Sequence, residues 1–274
     1  MLDFLSSVRS FISNPWFIGA MAMGYVFYFL LYKVLPFAKG FGLNPRLTKY
    51  RMSKSSTLSP EQLSLVALSG ISTELLQAYW NVLSLGKSGK ARAEAFLAEG
   101  YGVDTPGSAQ KAIEKRLAGQ FSSLLPIVFG AAQLDGAKRK DFLREAAGGD
   151  HRFYSYLTDA VERLLACMPL LVKKGIVSDL GDIMKYGFVG WEMDQACILV
   201  RAAYDMGYIT EEEAWCYLEQ AQQLARKGLG SWRDFGMSYL IGRVVQMEDG
   251  TDGMEAVVLG MLRDRKSPWL SIDW

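Results

Sequence analysis

The chain has 274 residues, half of them apolar and 22% charged, with a formal net charge of +1. It is long enough to bury a large core. The near-zero charge, with no basic stripe interleaved with aromatics, argues against a nucleic-acid binder, and a single histidine with three scattered cysteines argues against a zinc site.

The first element is a hydrophobic helix. No charged residue occurs from Ser10 to Tyr32, and the run Trp16 to Tyr32 is nearly all apolar or aromatic. A membrane span needs roughly 20 such residues. Trp16, Tyr25, Tyr28 and Tyr32 are candidate interface anchors. Arg9 precedes the run, and Lys33, Lys39, Arg46, Lys49, Arg51 and Lys54 follow it. Residues 1–36 are therefore expected to hold a transmembrane helix, embedded through residues 11–35, with the C-terminal domain in the cytoplasm beneath the inner membrane. A helix buried in the domain or in a homodimer, giving a soluble cytoplasmic protein, is the alternative, and a cleaved signal peptide the next. Residues 37–57 read as a basic linker punctuated by Gly, Pro and Ser.

Residues 58–274 read as helices throughout. Ser59-Pro60-Glu61-Gln62 is a helix start with proline at the first position. Leu63, Val66, Ala67, Ile71, Leu75 and Leu76 supply its apolar face, and 84–89 reads as a loop. Thr105-Pro106 opens another helix. The alternating charges of 137–147 describe a solvated helix, and 153–172 is strongly amphipathic. No strand-like alternation of useful length and no fixed-period repeat appears. The expected fold class is all-α: a multi-helix globular domain preceded by the N-terminal hydrophobic helix.

The stretch from Gly190 to Gln246 carries the strongest signals. Trp191, Ile198, Leu199, Ala202 and Met206 form one helical stripe, which Gly207 ends. Thr210 and Glu213 make a capping box, with Glu211 and Glu212 in the turn where the helix dipole favours negative charge. Ala214, Trp215, Leu218, Ala221, Leu224 and Ala225 continue that helix, and Gly228 and Gly230 stop it. Ser231 caps a third helix with Phe235, Tyr239 and Leu240 turned inward. Gly236, Ser238 and Gly242 would let another helix approach closely.

At these residues the chain resembles a bacterial family catalogued as domain of unknown function 1266. The resemblance rests on Trp191, on Gly207-Tyr208-Ile209, on Ala214-Trp215, and on Ser231, Trp232, Phe235, Gly236, Ser238, Tyr239, Leu240, Gly242 and Arg243. The family pattern has aspartate and arginine where this chain has Glu192 and Gln195. The upstream run Ala78-Tyr79-Trp80-Asn81-Val82-Leu83 resembles the family's first conserved helix, which extends the likeness over roughly residues 58–247. Relatives of the family sit among secretion and toxin genes, which implies an immunity-type role.

The residues themselves offer little chemistry. Glu192, Asp194, Glu213, Arg201, Arg233 and Arg243 form the candidate polar cluster, read chiefly as ion pairs knitting helices together and secondarily as acid–base groups. Trp80, Trp191, Trp215, Trp232 and Tyr239 read as structural aromatic core. Cys167, Cys197 and Cys216 read as buried reduced thiols, and the acidic run Glu248, Asp249, Asp252, Glu255 as a solvated turn rather than a calcium loop. No metal or other cofactor is expected, and no catalytic residue stands out. The expected function is a non-enzymatic protein-binding domain, an immunity-type protein that neutralises a bacterial toxin. A membrane-tethered adaptor or assembly factor, and an enzyme using carboxylate/arginine pairs, are the alternatives. Arg139, Asp141, Arg233 and Trp269 are candidate contact residues.

Overall fold

The structure is a computed structural model that describes residues 50–247, 251 and 253–274. The N-terminal hydrophobic segment and most of the basic linker lie outside these residues. Among the described residues every regular element is helical, in agreement with the expected class, and no helix is long and apolar enough to cross a membrane.

The helices are α1 (Pro60–Ala67), α2 (Gly70–Leu76), α3 (Gly86–Tyr101), α4 (Pro106–Leu117), α5 (Leu125–Ala132), α6 (Gly136–Ala146), α7 (His151–Lys173), α8 (Asp182–Tyr186), α9 (Val189–Asp205), α10 (Glu211–Gly228), α11 (Trp232–Gln246) and α12 (Met254–Met261). Short 3-10 turns occur at Ser122–Leu124 and Pro268–Leu270. The start signals behave as chemistry requires. Ser59 with Gln62, Thr105 with Ser108, and Thr210 with Glu213 form reciprocal capping boxes, and Ser231 accepts from Asp234 N.

The core is organised around α9. All fourteen residues from Gly190 to Ala203 are buried, and the helix packs against α2, α3, α4, α10 and α11. A helix surrounded in this way cannot spare a solvent face, so its polar residues must be satisfied inside. The one-sided stripe expected for it is therefore only part of its buried surface.

Several local readings are corrected. Residues 78–83, read as a helix, lie in an irregular loop between α2 and α3, because Gln77 turns left-handed (φ 50°) and ends α2. Residues 50–56, read as linker, belong to the fold: Trp80 N donates to Arg51 O (2.9 Å), and Asn81 and Ser53 exchange side-chain-to-backbone bonds of 2.7 and 2.9 Å. Trp215 is only half-buried, its Nε1 donating to Glu211 (3.1 Å), while Trp80, Trp191, Trp232 and Tyr239 are buried as expected of core residues. Cys216 is exposed, being out of phase with Ala214, Leu218 and Ala221, and Cys167 is half-buried; only Cys197 is fully enclosed. Glu255 is buried rather than part of a solvated turn.

The tail completes the core. Trp269, for which the sequence allows either packing onto the domain or a role as a contact residue, is buried: its ring stacks on Trp232 with centroids 5.1 Å apart, and its Nε1 donates to Ala67 O (3.1 Å). Trp274 meets Trp232 edge-on and donates to Leu229 O (3.0 Å). Aromatic clusters of this size add edge and stacking energy to their burial.

A donor-lined groove beside the central helix

The polar residues of α9 take three different sets of partners. Glu192 reaches the turn before α5, where its carboxylate accepts from Phe121 N (2.7 Å), Ser122 N (3.0 Å) and the Ser122 hydroxyl. Burial raises its pKa, and those three donors, with Arg116 nearby, act against the shift. Asp194 turns to α2, accepting from Ser72 N (3.2 Å), Ser72 Oγ (2.5 Å) and Gln195 Nε2 (3.1 Å). It is fully buried, and desolvation outweighs those bonds, so its pKa rises from 3.8 to about 7. Gln195 accepts from the Tyr101 hydroxyl (2.5 Å) and so ties α3 to the same network.

Arg201 points the opposite way and is wholly enclosed. Its five N–H groups meet five neutral acceptors: Leu83 O (3.1 Å), Ser69 Oγ (2.9 Å), Thr73 Oγ1 (2.7 Å), Val82 O (3.1 Å) and Tyr79 O. Desolvation lowers its pKa to about 10, which still leaves it charged at neutral pH. The guanidinium holds the 79–83 loop against α9 and α2.

The candidate polar cluster is thus not one cluster. Glu192, Asp194 and Arg201 are satisfied by serines, a threonine, backbone groups and glutamine. Glu213 is used in its capping box, and Arg233 is exposed, donating to Gly175 O (3.4 Å). Arg243 lies over the Trp191 ring at 6.0 Å and donates to Thr251 O (3.3 Å). Arg139 is tied back to Ala131 O and Leu134 O, and Asp141 pairs with Arg144 on the surface (2.7 Å).

Asp194 gives a pH signature with a definite sign. Its folded pKa lies above its unfolded value, so the native state holds a proton that the unfolded chain has lost. Stability is then greatest below pH 4 as far as this group is concerned, and falls as pH rises towards 7, by up to about 4 kcal/mol. Asp194→Asn, a mimic of the protonated form, should flatten that slope. Urea unfolding of the two proteins at pH 5 and pH 8 measures it; parallel pH dependences would contradict the assignment.

Two adjoining hollows open beside Glu192 and Gln195. The outer one, about 750 Å³, runs along α4 and the turn after it, lined by Lys111, Lys115, Arg116, Phe121, Phe153 and Tyr156, with Glu192 at its wall. The inner one, about 310 Å³, lies between α2, α9 and α11, lined by Leu75, Leu76, Trp191, Gln195, Tyr239 and Arg243 among others. Gly100, Tyr101, Arg116 and Gln246 line both, so they form one groove with two chambers. The Arg116 guanidinium sits over the Tyr101 ring at 5.4 Å. Lys111 and Lys115 fall on one face of α4 by their i, i+4 spacing.

No sequence pattern pointed to this groove, because Lys111, Lys115, Arg116, Tyr101 and Tyr156 are spread over three helices. Only the one-turn spacing of Lys111 and Lys115, with Arg116 beside them, is visible in the sequence. Neither chamber is lined by histidine or cysteine, and among the described residues no group of three or more His, Cys, Asp or Glu side chains is placed to hold a metal ion.

Fold and site together define an all-helical domain with a basic, aromatic groove built against one buried central helix. The chain belongs to the family described as Protein of unknown function (DUF1266), whose model matches residues 96–274. No curated protein and no solved structure matches it. The match starts later than the 58–247 likeness and runs through the tail, which fits the packing of Trp269 and Trp274 into the core. Trp191, Tyr239 and Arg243, which carry the resemblance, and Glu192 and Gln195, which depart from it, all line the groove.

Proposed function

We propose that this domain works by stoichiometric binding of a protein partner, and that the outer chamber receives an acidic segment of it. The observation that carries this reading is the charge of the chamber. Lys111, Lys115 and Arg116 edge it, whereas the one carboxylate among its described lining residues, Glu192, is turned into three hydrogen bonds of its own. Aromatic rings beside cations favour an acidic segment carrying apolar side chains, since aromatic anchors supply most interface energy while charge complementarity sets orientation and on-rate. An immunity-type role, with a bacterial toxin as the partner, is the form of this reading that we favour. The N-terminal segment would hold the groove at the cytoplasmic face of the inner membrane.

The test uses a labelled peptide alternating Glu with Phe, and its counterpart with Lys in place of Glu. The full chain should bind the acidic peptide, more weakly at high salt, and ignore the basic one. Lys111→Glu with Lys115→Glu changes two exposed residues, so the melting temperature should hold while affinity falls about tenfold. Equal binding of both peptides, or none, would remove the basis of the reading. A toxin encoded beside this chain should copurify with it at fixed ratio, and the double substitution should release it.

One observation favours an enzyme as the second reading. Glu192 is a buried carboxylate of raised pKa at a cleft wall, which is the signature of an acid–base group. Turnover of any ligand that binds the groove, abolished by Glu192→Gln with binding retained, would replace the first reading.

A further inference from the structure

The inner chamber has an excess of hydrogen-bond donors over acceptors. Trp191 Nε1 is buried with no hydrogen-bond partner, and Tyr239 Oη, approached only by the donor Arg243, has no acceptor for its own proton. Gln246 accepts from the Tyr156 hydroxyl through Oε1 (2.9 Å), which leaves its amide nitrogen to donate. Gln195 adds no acceptor, because its Oε1 is used by Tyr101 and its amide by Asp194 and Ser72. Arg116 brings positive charge, and among the described residues no Asp or Glu lines the chamber. Buried polar groups are nearly always paired in folded proteins, so two orphans on one cavity wall call for an occupant.

The remaining walls define that occupant's body. Leu75, Leu76 and Met247 supply hydrocarbon, and Leu75 and Met247 are exposed at the mouth. A bare inorganic anion would leave those walls dry and unfilled. The volume of about 310 Å³ corresponds to about ten water molecules, enough for a ring or a short branched chain with one acidic group.

We propose that the inner chamber is a binding site for an organic carboxylate with an apolar or aromatic body. The carboxylate takes the Arg116, Trp191, Tyr239 and Gln246 donors, and the body lies against Leu75, Leu76 and Met247. Two sources share this chemistry: a free acid, or the terminal carboxylate of a protein ending in an aromatic residue. The inference stands apart from the acidic-segment reading of the outer chamber.

The readout is the Trp191 indole N–H resonance of the purified full chain, assigned by its loss in Trp191→Phe. Phenylacetate should shift it saturably, and phenethylamine, a cation of similar shape, should not. A shift by phenylacetate establishes the free-acid site. A shift only by a short peptide ending in Phe with a free carboxylate, and not by its amide, places the carboxylate on a partner. Arg116→Met should weaken binding about tenfold or more, the usual loss for a charge-assisted bond. Leu75→Glu, at an exposed position that leaves folding untouched, should weaken it as well. No saturable shift with either carboxylate, an equal response to phenethylamine or to the amide, or unchanged affinity in both variants overturns the proposal. The Lys111→Glu with Lys115→Glu protein should lose the acidic peptide yet keep the phenylacetate response, which separates this failure from that of the outer-chamber reading.

Discussion

Arg201→Met is expected to destabilise the domain by about 3–5 kcal/mol, lowering its melting temperature by about 10 °C. Methionine fills much of the same volume but donates nothing. It would leave Leu83 O, Val82 O and Tyr79 O facing a thioether, with Ser69 and Thr73 losing their shared donor. A buried acceptor stripped of its partner keeps its desolvation cost, which is why the loss exceeds that of a surface bond. Arg201→Lys should be nearly as harmful, since three ammonium donors on one nitrogen cannot reach five acceptors arrayed round a planar fork. Urea midpoints decide the matter. If both variants unfold within about 1 kcal/mol of the wild type, the five bonds are not holding the 79–83 loop. If Arg201→Met stays stable but loses ligand binding, Arg201 belongs to the site and not to the scaffold.

What the sequence made legible was what depends on neighbours along the chain. Ser59, Thr105, Thr210 and Ser231 cap helices where they were expected to, because capping uses residues three apart. Gly207 adopts φ 72° at the end of α9. The all-α class followed from periodicity. What was not legible depends on residues far apart in sequence. Spacing alone puts Arg201 among arginines expected to pair with carboxylates; its real partners lie about 120 to 130 positions upstream. Trp215 shared a helical stripe with Leu218, yet only the packing of neighbouring helices could decide that its edge would stay in water. Trp269 lay in an aperiodic tail, and nothing local foretold the slot between Trp232 and Ala67 that receives it.

The same limit explains the groove. Its cations stand on α4 and, with Arg243, on α11, its rings on α3, α7, α9 and α11, and its apolar mouth on α2 and after α11. Glu192 and Gln195 stand where the family pattern has aspartate and arginine. In the fold they hold different elements together: Glu192 pins the turn before α5, and Gln195 joins α3 to Ser72 and Asp194. Both therefore position the walls of the groove.

Gly190→Ala should be as damaging as the loss of Arg201, for the opposite reason. A methyl group on Gly190 would lie 2.5 Å from Phe235 O and 2.8 Å from Tyr239 N, and these are backbone atoms of α11 that cannot rotate aside. Gly242 is the reciprocal contact, where an added methyl would sit 2.5 Å from Trp191 Cβ. The two helices touch backbone to backbone at these points, and Gly190 N donates to Ser238 Oγ (2.8 Å) across the contact. Either alanine must push α11 off α9, at a cost of about 3 kcal/mol or more. Gly107, in the first turn of α4, has open space around it, and Gly107→Ala should instead raise stability by about 0.4–1 kcal/mol. Because Trp191 and Tyr239 flank the α9–α11 contact and line the inner chamber, Gly242→Ala should also disturb the Trp191 indole resonance and weaken phenylacetate binding in whatever fraction remains folded. Thermal melts of the three alanine variants test the packing. Equal melting temperatures would mean that α9 and α11 do not approach as closely as described.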